Sequence, residues 1–170
     1  MMKQILFNFI FLSLTLEGFS QSLTLNELLK FQASAPEEIN RILEKKNWQC
    51  VSVDEPTPEL LGKTVWAYKP KPENGTAAAW CILYQGASTP NRILYNPTDG
   101  NVLAAIRKKV LKRKGIDPLD LKPEPLPEYV KAVDAFSDGE YIFLFQTYVQ
   151  PGYGGIKIFR KADYLKALQN

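Results

Sequence analysis

The most informative feature of this sequence is an absence, because its 170 residues include no histidine. Histidine is the usual general base at neutral pH and the commonest zinc ligand. Ser–His–Asp catalysis, Cys–His catalysis and His-based metal hydrolase sites are therefore excluded. The Ser-x-x-Lys and Gly-x-Ser-x-Gly motifs of serine nucleophiles are missing as well. The sequence thus predicts no catalytic residue, no metal site and no cofactor.

A pair of carboxylates, as in glycosidases, is a catalytic chemistry that this composition still allows. Asp134 is the only acid inside a predicted strand and away from its ends, and Glu140 follows it across a predicted hairpin. A solvated strand face is the favoured interpretation of these two acids. A small histidine-free enzyme that uses carboxylates on glycan or cell-wall material is the alternative function.

Cysteine is scarce, since the chain has only Cys50 and Cys81, both in predicted strands. An oxidising compartment permits a disulfide if the strands bring the two Cα atoms within about 7 Å. The sequence leaves this disulfide and two buried free thiols as equal alternatives. Neither the spacing nor the surroundings of the two residues indicate a redox site.

Long apolar runs are also few, and the one that stands out is "ILFNFIFLSLTL" at residues 5–16. A lysine precedes it, and "EGFS" after it places small residues where a signal sequence is cleaved. Residues 1–20 are therefore predicted to be a signal peptide, cleaved between Ser20 and Gln21. Residues 21–170 then form one domain in the periplasm or outside the cell. A transmembrane anchor is not expected, because a spanning helix needs about 20 apolar residues.

Positive charge is concentrated at one place, although the net charge is only +3. The run "RKKVLKRK" carries six basic residues, which are Arg107, Lys108, Lys109, Lys112, Arg113 and Lys114. It falls in a predicted amphipathic helix over 101–114, so one interpretation is that the basic stems cover the edge of the core. The other is a contact with an acidic protein surface, an anionic glycan or lipid headgroups. Nucleic acid is not expected, since no stacking aromatics are interleaved with the run.

Seven segments rich in aromatic and branched residues predict strands. They are 48–53, 64–69, 77–85, 92–95, 129–136, 140–149 and 156–161. Short connections with Pro, Gly and Asn predict antiparallel pairing. Helices are predicted after Thr24, in a capping box from Ser34 to Glu37, over 101–114 and at the C-terminus. The predicted fold is α+β, with an antiparallel sheet of about seven strands, helices packed on one face, and two halves that each read as helix plus meander.

Aromatic residues supply the candidate binding surface. Trp66 and Tyr68 share one face of a predicted strand, and Tyr153 lies in the Gly-rich loop "QPGYGG". These three residues are predicted to contribute to a contact surface for a partner. In "WCILY" (80–84) both faces of the strand are apolar, which indicates either a central strand or a face covered by something outside the chain.

The function predicted from these features is binding, not catalysis. We expect an exported α+β module of the cell envelope that contacts another macromolecule through an aromatic sheet face, a loop or the basic run. The carboxylate enzyme is the competing hypothesis, and a pair of acids buried together in a cleft would favour it.

Overall fold

The computed structural model describes residues 22–58, 60–86, 91–120 and 126–167. These described residues form four helices and a single antiparallel sheet of eight strands. The helices are α1 (Leu25–Gln32), α2 (Pro36–Glu44), α3 (Gly100–Val110) and α4 (Lys161–Ala167). The strands are β1 (Trp48–Asp54), β2 (Gly62–Tyr68), β3 (Ala79–Gln85), β4 (Arg92–Pro97), β5 (Asp117–Pro118), β6 (Val130–Ser137), β7 (Tyr141–Tyr148) and β8 (Gly154–Arg160).

The predicted α+β class and the seven predicted strands are confirmed, and β5 is an eighth strand of two residues. It pairs with the end of β6, where Asp117 lies opposite Ser137. The sequence hides this strand because it sits inside the proline-dense stretch after Gly115, and proline is a poor strand residue. The sheet is thus one strand larger than the sequence predicts.

The strand order is β1-β2-β3-β4-β8-β7-β6-β5, so two meanders lie side by side. The last strand of each meander forms the seam between them, where Ile93 pairs with Ile158 and Tyr95 pairs with Ile156. The strand β8 is therefore central. From the sequence, the alternation of isoleucine with Lys157 predicts that β8 lies nearer an edge of the sheet, because a lysine usually marks a solvated strand face. That prediction of an edge position is wrong.

One face of the sheet carries the main core, which we call the core face. Its members come from alternate positions of the strands together with helix side chains, as expected for a sheet with helices packed on it. Trp66, Cys81, Phe143 and Ile158 contribute from the strands. The helices α1 and α3 contact β4 and β8, while α2 contacts β1 and β2. The helices α1 and α3 thus lie against the centre of the sheet, and α2 lies against its β1–β2 end.

The first two helices begin in different ways. Thr24 caps α1 in a capping box with Glu27, whose carboxylate accepts from the Thr24 backbone N–H at 2.9 Å. The helix α2 begins differently from the prediction, because Ala35 is its N-cap and no side chain caps it. Pro36 at the first helical position explains the start without Ser34, since proline needs no partner for a missing N–H.

The predicted signal peptide lies outside the described residues. Residue 23 is already part of the core, where Leu23 is buried and its N–H donates to the Tyr95 hydroxyl at 3.3 Å. No helix within the described ranges is long and apolar enough to cross a membrane.

Candidate binding surface on the sheet

The structure separates the three aromatic residues of the predicted surface. Trp66 is fully buried on the core face, and its indole Nε1 donates to Asn40 Oδ1 of α2 at 3.0 Å. Tyr68 is half-buried against the Trp48 ring, with 5.5 Å between the ring centroids. Only Tyr153, in the turn between β7 and β8, is exposed. Trp66 is therefore a core residue, a correction that follows from α2 lying over β2.

The six residues of the basic run have two different environments. The two arginines make ion pairs with β6 and the turn after it, Arg107 with Asp134 at 2.7 Å and Arg113 with Asp138 at 2.6 Å. Their guanidinium groups also lie over aromatic rings of the core face. The four lysines are exposed, and they are Lys108, Lys109, Lys112 and Lys114. The arginines thus bind α3 to the sheet, and the lysines are the part of the run available to a partner.

Asp138 is a buried carboxylate with three partners. It is buried in the turn between β6 and β7, where Oδ1 accepts from the backbone N–H groups of Glu140 and Tyr141 at 2.7 and 2.6 Å. Burial alone raises the pKa of this carboxyl, but the two N–H donors and Arg113 together hold the pKa below its usual value. Asp138 is therefore a charged structural residue that ties α3 to the hairpin.

The two acids of the alternative enzyme hypothesis are not brought together. Asp134 is paired with Arg107, and its side chain is 55% exposed. Glu140 is exposed in the turn at the end of the hairpin. They form no shared cleft. In the described part of the chain no group of three or more Cys, Asp and Glu side chains is arranged to hold a metal ion.

Both cysteines are free thiols. Cys50 in β1 and Cys81 in β3 lie opposite Trp66 of β2, one on each side. Neighbouring strands lie about 4.8 Å apart, so these two Cα atoms are separated by roughly 10 Å, more than a disulfide spans. Burial raises the pKa of both thiols, far more for Cys81, which is inside the core.

The face of the sheet opposite the core face, which we call the second face, is also largely apolar. One row crosses six strands through directly paired residues. From β2 to β6 its members are Val65, Ile82, Leu94, Lys157, Leu144 and Ala135. None of them belongs to the main core cluster. At about 4.8 Å per strand this row is about 24 Å long.

Aromatic residues flank this row on both sides. Tyr84, Arg92 and Phe159 lie in the adjacent row towards one end of the strands, and Trp80 lies in the row towards the other end. Trp80, Ile82 and Tyr84 are each partly exposed. Tyr164 of α4 packs edge-to-face against Phe159 with 5.2 Å between the ring centroids, so α4 touches this face at one corner.

Two cations lie among these apolar side chains. Lys157 is half-buried between Leu94 and Leu144, its partners on the neighbouring strands. Arg92 is half-buried as well, and its guanidinium lies 4.7 Å from the centre of the Tyr84 ring. Burial lowers the pKa of Lys157, and the positive charge of Arg92 lowers it further. Both groups are held where a charge is poorly hydrated.

A polar cluster borders the second face beside Trp80. The Tyr148 hydroxyl donates to Asn96 Oδ1 at 2.8 Å, and Gln146 is buried beside it. Burial is the main cause that raises the pKa of Tyr148 to about 12. The absence of a side chain at Gly155 makes room for this contact, because a Cβ there would overlap Asn96 Oδ1.

A polar cleft of about 320 Å³ lies apart from this face, near the turn between α1 and α2. Gln32 spans its wall, donating to the Asn91 carbonyl and accepting from Arg160 Nε, each at 3.3 Å. These polar groups satisfy one another and thereby connect α1 to β4 and β8.

The sequence contains a signal of the second face, although the predicted aromatic surface lies at other residues. The two apolar faces of "WCILY" predict either a central strand or an external cover, and Trp80, Ile82 and Tyr84 form one of those faces. Arg92 and Lys157 were missed, because they come from strands that the chain order does not place side by side. Only the β4–β8 seam brings them together.

No protein-family model matches this chain, and no curated protein or solved structure is significantly similar to it. The geometry of the chain itself is therefore the basis for a function.

Proposed function

We propose that this protein is an exported, non-enzymatic binding module of the cell envelope and that it contacts a partner through the second face of its sheet. The helices α1, α2 and α3 pack against the core face and leave the second face to the partner. The signal peptide over residues 1–20 belongs to the same proposal, since it sends the domain to the envelope.

The observation that carries this proposal is the apolar row from Val65 to Ala135. A folded domain buries the apolar face of its sheet against another layer. The core face has that layer in the first three helices, whereas within the described residues α4 touches the second face only at its Phe159 corner. Val65, Leu94 and Ala135 are buried among their neighbours, so the apolar surface open to a partner is that of the partly exposed residues Trp80, Ile82, Tyr84 and Leu144. Exposed apolar patches with aromatic members are typical of interaction sites.

The exposed lysines of α3 support a second binding surface, the one that the basic run predicts. Lys108, Lys109, Lys112 and Lys114 carry four charges that no ion pair in the described part of the chain neutralises. They suit an anionic glycan or a lipid headgroup. The carboxylate enzyme gains no comparable support, because Asp134 is already paired with Arg107.

Photo-cross-linking in the source cells tests which surface is used. A benzophenone amino acid replaces Ile82 on the second face in one variant and Lys108 on α3 in another. Illumination should attach one defined macromolecule through position 82 and little through position 108. Adducts through position 108 alone would assign the partner to the basic run, and an absence of adducts at position 82 would overturn the proposal.

A further inference from the structure

The chemistry of the partner can be read from Lys157 and Arg92. Lys157 occupies the middle of the long row, with three apolar members on its β4 side and two on its β7 side. Arg92 is one step away in the next row, paired with Phe159 on β8. The Arg92 charge is close enough to lower the pKa of Lys157, beyond the larger effect of burial. Folding therefore concentrates two like charges on an otherwise apolar surface.

Neither charge is compensated within the described part of the chain. The ion pairs found there involve other residues, and none includes Lys157 or Arg92. Arg92 Nε is buried and has no hydrogen-bond partner. Buried donors in folded proteins are nearly always satisfied, so Arg92 holds its charge on this face with one donor unpaired.

The size of the face decides what kind of partner fits. The row is about 24 Å long, and it has a second row on each side. A single acyl chain covers one row, whereas a helix is about 10–12 Å wide with its side chains and covers the rows together. Helices packed on a sheet face are one of the stable layer arrangements of folded domains. The breadth thus favours an amphipathic segment of a protein.

The charges also argue against a second copy of this chain on the same face. A two-fold axis through the centre of the row would bring Lys157 and Arg92 of both copies together. Such a contact gathers four positive charges with low hydration, which is unfavourable. A partner with acidic residues turns the same charges into attractive contacts.

We propose that the second face binds an amphipathic segment of a partner protein, whose apolar side chains cover the row and whose Asp or Glu carboxylate pairs with Lys157 and Arg92. This inference rests on the proposed function, since it specifies the partner of the same surface. Arginine supports bidentate pairing with a carboxylate, and Lys157 adds a second point charge.

The test begins from the Ile82 cross-linking variant and sequences the peptide attached to it. We expect a peptide in which apolar residues recur every three or four positions, as on one face of a helix, with at least one Asp or Glu. Adding Lys157→Glu should reduce the adduct roughly tenfold or more, because a like-charge contact replaces an ion pair. The matched control Lys108→Glu changes the same charge on α3 and should leave the adduct within about twofold.

Charge exchange makes the assignment specific. Replacing the cross-linked acidic residue of the partner by lysine should restore the adduct of the Lys157→Glu variant. Lys157→Met keeps most of the methylene stem but removes the charge, so it should also weaken binding. It replaces Lys157→Glu in the test if that variant does not fold. Unchanged thermal unfolding of each variant shows that lost binding is not lost structure.

The outcomes distinguish the two proposals. A lipid adduct, or an attached peptide without any acidic residue, overturns the acidic segment but leaves the second face as a binding surface. If neither Lys157→Glu nor Arg92→Glu changes the amount of adduct, the acidic segment is likewise overturned and the second face remains a binding surface. The absence of any adduct at position 82 overturns both.

Discussion

Asp138 shows how a single carboxylate can hold two elements together. It accepts from two backbone N–H groups of the β6–β7 turn and pairs with Arg113, which follows α3. Asp138→Asn removes the charge and turns an amide towards the guanidinium. We expect the free energy of unfolding at pH 7 to fall by about 1–3 kcal/mol, as for a buried charged hydrogen bond. Urea denaturation measures this change.

The pH dependence of this loss follows from the lowered pKa of Asp138. A carboxyl whose pKa is lower in the folded than in the unfolded state stabilises the fold above its unfolded pKa, about 3.9. That contribution disappears as the pH falls through the folded pKa. The difference between wild type and Asp138→Asn should therefore be largest at neutral pH and shrink below about pH 4.

Asp134→Asn is the matched control for Asp138→Asn. The ion pair between Asp134 and Arg107 also connects the sheet to α3, but it is largely exposed. Exposed pairs contribute about 0–1 kcal/mol, so this variant should stay close to wild type. Equal losses in the two variants would contradict the role given to Asp138.

Lys157 allows a test of the second face that needs no partner. The free protein carries this half-buried charge without an ion pair in the described part of the chain. Lys157→Met should raise the free energy of unfolding by about 0.5–2 kcal/mol, because a poorly hydrated charge is replaced by an apolar side chain. Chemical denaturation of the free protein measures it.

Lys108→Met on the exposed side of α3 should change stability by less than about 0.5 kcal/mol. A loss of stability in Lys157→Met would show that the charge already has a favourable environment in the free protein. It would then no longer mark a site for a partner.

At the level of residues, the sequence could not decide which tryptophan faces out. Trp66 and Trp80 have the same alternating apolar context, and they lie on opposite faces of neighbouring strands. Alternation groups residues by face, but it does not say which face the helices choose. That choice depends on long-range packing, here on Asn40 of α2 accepting from the Trp66 indole.

At the level of elements, the sequence signals were local and mostly sufficient. Strand-forming runs and turn residues predict seven of the eight strands. The two-residue strand β5 is not predicted, because it contains a proline. Asn47 and Gly115 end helical segments with positive φ of 60° and 69°, as their residue types indicate. The capping box predicts that α2 begins after Ser34, whereas in the structure Ala35 is the N-cap and Pro36 is the first helical residue.

Gly155 of β8 offers a prediction about one element. A Cβ at this position overlaps Asn96 Oδ1 and lies 2.9 Å from the Tyr148 hydroxyl. Gly155→Ala should therefore destabilise the fold by about 1–3 kcal/mol, as overpacking does, and displace the Tyr148–Asn96 hydrogen bond. Denaturation gives the energy. A Gly139→Ala control has open space around its Cβ and should change stability much less.

At the level of the whole molecule, the sequence predicts the class but not the assembly of the sheet. Each meander follows from short connections, whereas nothing local says that β4 pairs with β8. The second face depends on that pairing, because Arg92 comes from one meander and Lys157 from the other. The apolar part of the candidate site, with Trp80, Ile82 and Tyr84, could thus be predicted from the sequence, whereas its two cations could not. The idea of duplicated halves stays a prediction, to which the order of the strands conforms.

The seam between the meanders also bears on how the chain folds. Pairs such as Tyr95 with Ile156 join residues far apart in sequence, while the other long strands pair with a neighbour in the chain. Closing such a loop costs entropy before any contact repays it, and non-local pairing slows folding. Each meander can therefore form first as a local unit, with the seam closing last. Until it closes, β4 and β8 present open edges, and crowded nascent chains can exchange halves there.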